Sequence, residues 1–297
     1  PFMQTLFLTM AFALAPGLHE TWISDTYPAD AQIQSWSQHP GTRSYLFKIQ
    51  DASPEPLLAL KNLRGADRLQ IETSWYPTED AVPAWRELAG MGAELVTYNI
   101  GVPLNDEIDR INRAGFSRVS LILTEYPDAE TGSRLGRIQA KLSLSYVMNR
   151  YPRYMDKFGL QEIPASALLQ FVTDYWPLYT QMDTLNLLPH TKSIRVSEMF
   201  PPPESLPYIA GLKNISAITL ETTSAPDDPA AWQALKGLPL RWSCRGFVPS
   251  REAITAYAAA GRTLIIDRDT DLTHDESSRL AQSGIPTEWI HVAPFSR

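Results

Sequence analysis

The 297-residue chain combines 44% apolar with 20% charged residues, which is typical of a globular protein with a sizeable core in one large domain or two ordinary ones. Its net charge of -7 argues against a nucleic acid or an anionic membrane as the main partner, because both bind clustered Lys and Arg. The single cysteine, Cys244, excludes an internal disulfide and a cysteine-rich metal site, and it predicts a buried, inert thiol.

The first part of the chain, residues 1–44, carries no repeat and is predicted to be an N-terminal capping segment. Its apolar stretch and the Ala13-Leu14-Ala15 triplet are typical of the core and cleavage site of a secretory signal. No Lys or Arg precedes the stretch, so we expect a retained segment in a cytoplasmic protein. The alternative is a periplasmic or secreted protein in which Met3–Ala15 is a signal peptide. The stretch is shorter than the roughly 20 residues that cross a bilayer, so no membrane span is expected.

Short β-type runs then recur, with starts about two dozen residues apart. Eleven strands are predicted at residues 45–50, 69–74, 95–100, 119–124, 142–147, 168–173, 194–199, 218–223, 240–245, 264–269 and 289–292. The segments between them carry helix signals, such as the capping box Thr273–Glu276 and the helix-ending Gly115 and Gly284. A strand followed by a helical crossover predicts parallel strands with right-handed connections.

Two stretches, "PEPLLALKNLRGADRLQIETS" and "PESLPYIAGLKNISAITLETT", place apolar residues every third position ahead of a strand ending in Glu-Thr. These repeats resemble leucine-rich repeats, from about Leu46 to Val292. The family's Asn or Cys after each strand is missing, and Ser74 and Thr223 stand at two of those positions. The resemblance implies an α/β fold, a right-handed β/α solenoid with an open parallel sheet shaped like a horseshoe.

A (β/α)8-like barrel is the alternative architecture. A barrel averages about 30 residues per unit and stops at eight strands, whereas this chain has more units and a shorter period, which favours the solenoid. The repeat domain is assigned to residues 45–297. An irregular stretch at residues 148–192 is rich in aromatic residues and is predicted chiefly to fill the core.

Polar residues that alternate with the buried positions of each strand should line the concave face of a solenoid. The candidate binding residues on that face are Gln70, Glu72, Ser120, Ser143, Arg195, Ser197, Thr219, Glu221, Arg241, Ser243 and Asp267, and Arg68, Arg118, Lys141 and Ser145 share the alternation. Mixed charges and short hydroxyls suit a protein or glycan partner. We therefore predict a recognition module, more in keeping with a non-enzyme, with no catalytic residue, metal or cofactor. The sequence leaves the oligomeric state open.

Carboxylates at strand ends support a different function if the fold is a barrel. These residues are Glu72, Glu125, Asp174, Glu198, Glu221, Asp267 and Asp269. Parallel barrels place catalysis at this rim, and a pair such as Glu198 and Glu221 would supply the acid and the nucleophile of a glycosidase-like hydrolase. The five histidines form no ligand set by spacing, and the HExxH, GxSxG and glycine-rich phosphate-loop patterns are absent from the sequence.

Overall fold

The computed structural model describes residues 18–38, 43–50, 53–63, 66–98, 101–197, 200–226, 229–268 and 270–292. Within these residues twelve parallel strands follow one another, and each pairs with its neighbours in sequence. The first strand also pairs with the last, so the sheet closes into a barrel.

The strands are β1 (Leu18–Ser24), β2 (Arg43–Ile49), β3 (Ala66–Thr73), β4 (Glu94–Tyr98), β5 (Arg118–Leu123), β6 (Lys141–Val147), β7 (Leu168–Thr173), β8 (Thr191–Ser197), β9 (Ile215–Thr222), β10 (Leu240–Arg245), β11 (Thr263–Arg268) and β12 (Thr287–Val292). The helices are α1 (Asp30–Gln38), α2 (Pro54–Ala59), α3 (Val82–Gly90), α4 (Asn105–Ala114), α5 (Ala129–Leu135), α6 (Lys157–Gln161), α7 (Tyr179–Asn186), α8 (Leu206–Ala210), α9 (Arg251–Ala258) and α10 (His274–Gln282). Short 3-10 helices occupy Leu60–Asn62, Pro203–Ser205 and Pro229–Leu235.

The two faces of the sheet have different surroundings. On β5, Val119 and Leu121 are fully buried in one core with Ile108 and Ile111 of α4. The alternate residue Ser120 remains partly exposed. The helices therefore pack outside the barrel, and the other set of side chains faces a lumen. Eight strands enclose a space that side chains just fill, so a barrel of twelve strands leaves room for solvent or a ligand.

The predicted open solenoid is wrong, and so is its description as a leucine-rich-repeat horseshoe, because the sheet has no free ends. Thr21 of β1 pairs with Ile290 of β12 on one side and with Ser44 of β2 on the other. The barrel alternative is right about closure, parallel strands and outer helices, although twelve strands exceed the eight it assumed. Helices are wider than the spacing between strands, so each short unit adds to the curvature of the sheet until its ends meet.

All eleven predicted strands overlap observed ones, β2 to β12. The missing strand is β1 (Leu18–Ser24), which lies within the segment of residues 1–44 where no strand was predicted. The stretch from Met3 to Ala15 lies outside the described residues. Within the described part of the chain, no helix is both long and apolar enough to cross a membrane.

Tyrosines connect successive units at the C-terminal ends of the strands. The hydroxyl of Tyr76 donates to the Gly101 carbonyl at 2.7 Å, and that of Tyr126 donates to the Arg150 carbonyl at 2.8 Å. Tyr151 repeats the contact one unit later, with its hydroxyl 3.2 Å from the Tyr175 carbonyl. These bonds hold neighbouring loops in fixed positions around the rim.

Asparagines have the same role at the N-terminal ends. Asn112 donates to the Arg137 carbonyl at 3.0 Å and accepts from the Gln139 amide at 3.0 Å. Asn186 makes the equivalent contacts with Gly211 and Lys213. Side chains in the last turns of the helices and in the loops thus replace the Asn or Cys that leucine-rich repeats place after the strand.

Candidate functional site

The predicted binding residues all lie on the inner face of the barrel. They are Gln70 and Glu72 on β3, Ser120 on β5, Ser143 on β6, Arg195 and Ser197 on β8, Thr219 and Glu221 on β9, Arg241 and Ser243 on β10, and Asp267 on β11. The alternation along the strands therefore placed these residues on one face of the sheet, and in the structure they do share one face, the inner one. Their binding role stays a prediction.

The proposed recognition of a partner along an open concave face is wrong, because this face encloses a lumen. A protein cannot lie along the inner wall of a closed barrel, whereas a small molecule or a narrow chain can enter it. The geometry therefore favours the barrel alternative, in which chemistry takes place among inner side chains.

One charged group joins β8, β9 and β10 toward the C-terminal ends of these strands. Glu221 is almost completely buried, with 2% of its side chain exposed. One of its carboxylate oxygens accepts from Nη2 of Arg195, and the other accepts from Nη2 of Arg245. We call Arg195, Glu221 and Arg245 the C-terminal triad. Both carboxylate oxygens are ion-paired, so the triad holds two guanidinium groups at the wall of the lumen.

Asp267 lies beside the C-terminal triad, in register with Arg245 on the adjacent strand. Burial raises the pKa of Asp267, and the negative charge of Glu221 acts in the same direction. The positive charges of Arg195, Arg245 and Lys48 oppose this increase. A half-buried carboxyl with a raised pKa keeps its proton to a higher pH than an ordinary aspartate, which suits proton exchange with a ligand.

Glu72 and Lys48 continue this charged region on β3 and β2, where they are partners in register. Burial raises the pKa of Glu72, Lys48 lowers it, and Asp25 raises it. Lys48 therefore acts on the carboxyl groups of both Glu72 and Asp267. The inner face toward the C-terminal ends of the strands carries two carboxyls with raised pKa values and a lysine that influences both.

A second charged group joins β3, β4 and β5 near their N-terminal ends. Glu94 is buried, with 4% of its side chain exposed. Its Oε2 accepts from Nε and Nη2 of Arg68 at 3.0 and 2.7 Å, and its Oε1 accepts from Nη1 of Arg118 at 2.7 Å. We call Arg68, Glu94 and Arg118 the N-terminal triad.

Arg241 is placed with residues that sequence reasoning did not connect to it. Its Nη2 donates to Oε2 of Glu288 at 3.1 Å, across the intervening strand β11. Oε1 of Glu288 accepts from the hydroxyl of Thr21 at 3.1 Å. Arg241 therefore belongs to a separate contact that links β10, β12 and β1, and it is not part of the C-terminal triad.

The strand-end carboxylates do not form one catalytic rim. Glu125 and Asp174 are exposed, and Asp174 accepts from the Asn149 amide at 2.8 Å. Glu198 and Asp269 lie outside the described residues. Of the suggested Glu198 and Glu221 pair, only Glu221 is described. Both of its carboxylate oxygens accept hydrogen bonds from arginines, so neither oxygen is free to act as a nucleophile.

Sequence reasoning missed Lys48, Glu94 and Arg245 as inner-face residues. Alternation along β2 and β10 would have found Lys48 and Arg245, since each lies two positions from another inner residue. Glu94 was missed because the strand predicted at residues 95–100, which corresponds to β4, begins one residue earlier in the structure. Cys244 is buried on the outer face beneath the helices, and burial raises its pKa, which agrees with an inert thiol.

Two other features lie away from the lumen charges. A surface cavity of about 510 Å³ between α9 and α10 is lined by Arg251, Asp275 and Arg279 among others, and it lies outside the barrel wall. Among the described residues, no cluster of three or more His, Cys, Asp or Glu side chains could hold a metal ion.

Comparison with known proteins adds little to this geometry. No protein-family model and no characterised protein matches the chain significantly. Two variants of the tryptophan synthase α-subunit from the hyperthermophile Pyrococcus furiosus align over 94% of this chain and 88% of that enzyme, at 8% and 10% identity, each with a TM-score of 0.33. D-Lactate dehydrogenase from Escherichia coli aligns over 91% of this chain and 88% of its own, at 12% identity with a TM-score of 0.22. Scores this low carry no argument, so barrel closure and the site rest on strand pairing and inner-face charges.

Proposed function

We propose that the chain is a barrel enzyme that hydrolyses a polar, glycoside-like substrate in its lumen by acid–base catalysis. The observation that carries the proposal is the pair of inner carboxyls with raised pKa values, Asp267 on β11 and Glu72 on β3, both of which feel the charge of Lys48 on β2. Both carboxyls lie near the C-terminal ends of parallel strands, where barrels of this kind place their catalytic residues.

In this mechanism Asp267 is the proton donor. Burial keeps its proton bound to a higher pH than that of an ordinary aspartate, so the acid form is available to protonate a leaving oxygen. Glu72 is the second carboxylate, and it accepts a proton from the attacking water. Asp267 and Glu72 are four strands apart around the ring, so the substrate lies across the lumen and contacts both walls.

The surrounding cations bind and orient the substrate. Arg195 and Arg245 are held by Glu221 through one Nη2 each, so their other N–H groups can donate to oxygens of the substrate. Lys48 lowers the pKa values of both carboxyls and so opposes the increase that burial causes.

The proposal is tested with a panel of nitrophenyl glycosides and nitrophenyl esters. Asp267→Asn is expected to lower kcat by roughly 100-fold or more, the size of a general acid contribution, and Glu72→Gln should also lower it. Glu125→Gln, on an exposed loop, is the matched control and should leave kcat unchanged. Failure of the wild-type chain to hydrolyse any of the glycosides, or hydrolysis that both inner variants preserve, would contradict the proposal.

A further inference from the structure

The N-terminal triad presents positive charge at the opposite end of the lumen from the proposed catalytic carboxyls. Arg68 and Arg118 are about half exposed, at 47% and 55% of their side chains, although the Glu94 between them is buried. One carboxylate therefore holds two guanidinium groups in place while they still face solvent at the mouth of the barrel.

Lys141 adds a third cation to this mouth. It begins β6 and pairs in register with Arg118, and its side chain alternates with the buried Leu142. Among the residues that the structure describes, no carboxylate forms an ion pair with Lys141. The charged inner side chains near the N-terminal ends of these strands are thus three cations, Arg68, Arg118 and Lys141, and one carboxylate, Glu94.

We infer that the N-terminal mouth is a binding site for a small, multiply charged oxyanion, such as the phosphate group of a metabolite. Arg68 uses Nε and Nη2 on Glu94, and Arg118 uses Nη1, so Nη1 of Arg68 and Nε and Nη2 of Arg118 can donate to the anion. Guanidinium groups bind the oxygens of phosphates and carboxylates through paired N–H donors, and the ammonium of Lys141 adds a point charge.

This site is distinct from the proposed catalytic end. The C-terminal triad has Asp267 beside it, whereas the N-terminal triad has Lys141, so the two ends differ in net charge. The inference does not depend on hydrolysis, because an oxyanion can bind the mouth whether or not the other end is catalytic.

Isothermal titration of the full chain with inorganic phosphate, and in parallel with malonate, tests the inference at low ionic strength. We expect binding of one anion per chain that weakens as sodium chloride is added. Arg118→Gln should weaken binding roughly tenfold or more, because it removes charge-assisted hydrogen bonds. Lys141→Gln should weaken binding roughly threefold, as expected for a solvent-exposed charge. Phosphate binding tighter than malonate binding identifies a phosphate site, and the reverse identifies a carboxylate site.

Two controls keep the test decisive. Lys213→Gln removes an exposed lysine from an outer loop next to β9 and should leave binding unchanged. Lys141→Gln disturbs no ion pair of the described residues, so it should keep the melting temperature even if Arg118→Gln does not. Absence of binding of either anion at millimolar concentration would overturn the inference. A loss caused by Lys48→Gln but not by Lys141→Gln would also overturn it, since it would place the anion at the other end.

Discussion

The C-terminal triad and the N-terminal triad lie toward opposite ends of one lumen, on β8 to β10 and on β3 to β5. In both, a buried glutamate accepts from an arginine 26 residues earlier and from another 24 residues later. The spacing follows the length of the repeat unit, which brings these positions onto adjacent strands. Each triad therefore ties three neighbouring strands together from the inside.

The neighbours of the two triads differ. Asp267, whose pKa is raised mainly by burial, lies beside the C-terminal triad and nearly balances its charge. Lys141 lies beside the N-terminal triad and increases its positive charge. The same arrangement of one buried glutamate and two arginines thus has a carboxyl beside it at one end and an ammonium at the other, and our two proposals depend on this difference.

The largest expected effects come from the two buried glutamates. Glu221→Gln and Glu94→Gln each remove the buried carboxylate that accepts charge-assisted hydrogen bonds from two partly exposed arginines, so each should lower the free energy of unfolding by about 3 kcal/mol. Urea denaturation measures both. Similar losses would support the equivalence of the triads as links between strands. A loss below about 1 kcal/mol in either variant would show that solvent already compensates its arginines.

Smaller effects are expected from the side chains that connect successive units at each end. Asn112→Ala removes two hydrogen bonds at the N-terminal end and should cost about 2 kcal/mol, whereas Tyr76→Phe removes one at the C-terminal end and should cost about 1 kcal/mol. Thermal or urea unfolding checks the order. A larger loss of stability in Tyr76→Phe than in Asn112→Ala would contradict the expectation that the contacts at the N-terminal end contribute more.

The raised pKa of Asp267 predicts that stability depends on pH at the C-terminal end. Burial favours the protonated form in the folded state, so the stability that Asp267 contributes is present below its unfolded pKa and is lost as pH rises through its folded pKa. Asp267→Asn should therefore increase the free energy of unfolding at pH 7, and the gain should shrink toward the ordinary pKa of 3.8. Urea titrations at pH 7 and near pH 3 measure it. Destabilisation at pH 7 would contradict this account.

The smallest changes in stability are expected from substitutions of Lys48 and Lys141. The two variants should differ instead in their effect on the pKa of Asp267. Lys48→Gln and Lys141→Gln should each change the free energy of unfolding by less than about 0.5 kcal/mol, as for most surface substitutions. Lys48→Gln should raise the pKa of Asp267, because it removes a charge that lowers it. Lys141→Gln should leave that pKa unchanged. Equal shifts of the Asp267 pKa in the two variants would mean that charges at the N-terminal end also act on the C-terminal end.

The strands from β2 to β12 and the inner face could be predicted because they depend on local patterns. Alternation along β8 and β9 places Arg195 and Glu221 on one face whichever way the sheet curves. Arg68, Arg118 and Lys141 were assigned to the same face by this rule. Which residues share a face is a property of each strand, and a single sequence reports it.

Closure could not be predicted in this way, because it depends on small rotations that accumulate over the whole chain. Strand β1 (Leu18–Ser24) carries no repeat signal, and its pairing with β12 (Thr287–Val292) joins the two ends of the described chain. Lys48, whose positive charge lowers the pKa of Asp267, lies near it only because closure brings β2 and β11 to the same side of the ring. The candidate site is thus largely a product of closure.

The most direct test of a proton-exchanging C-terminal end is a carbon-detected NMR titration of the aspartate carboxyls. Asp128 is an internal reference, because the backbone amide of Thr131 donates to it at 2.8 Å and lowers its pKa. The account predicts that Asp267 titrates above the ordinary aspartate pKa and well above Asp128, and that Lys48→Gln moves its midpoint higher. A midpoint for Asp267 at or below that of Asp128 would contradict the account.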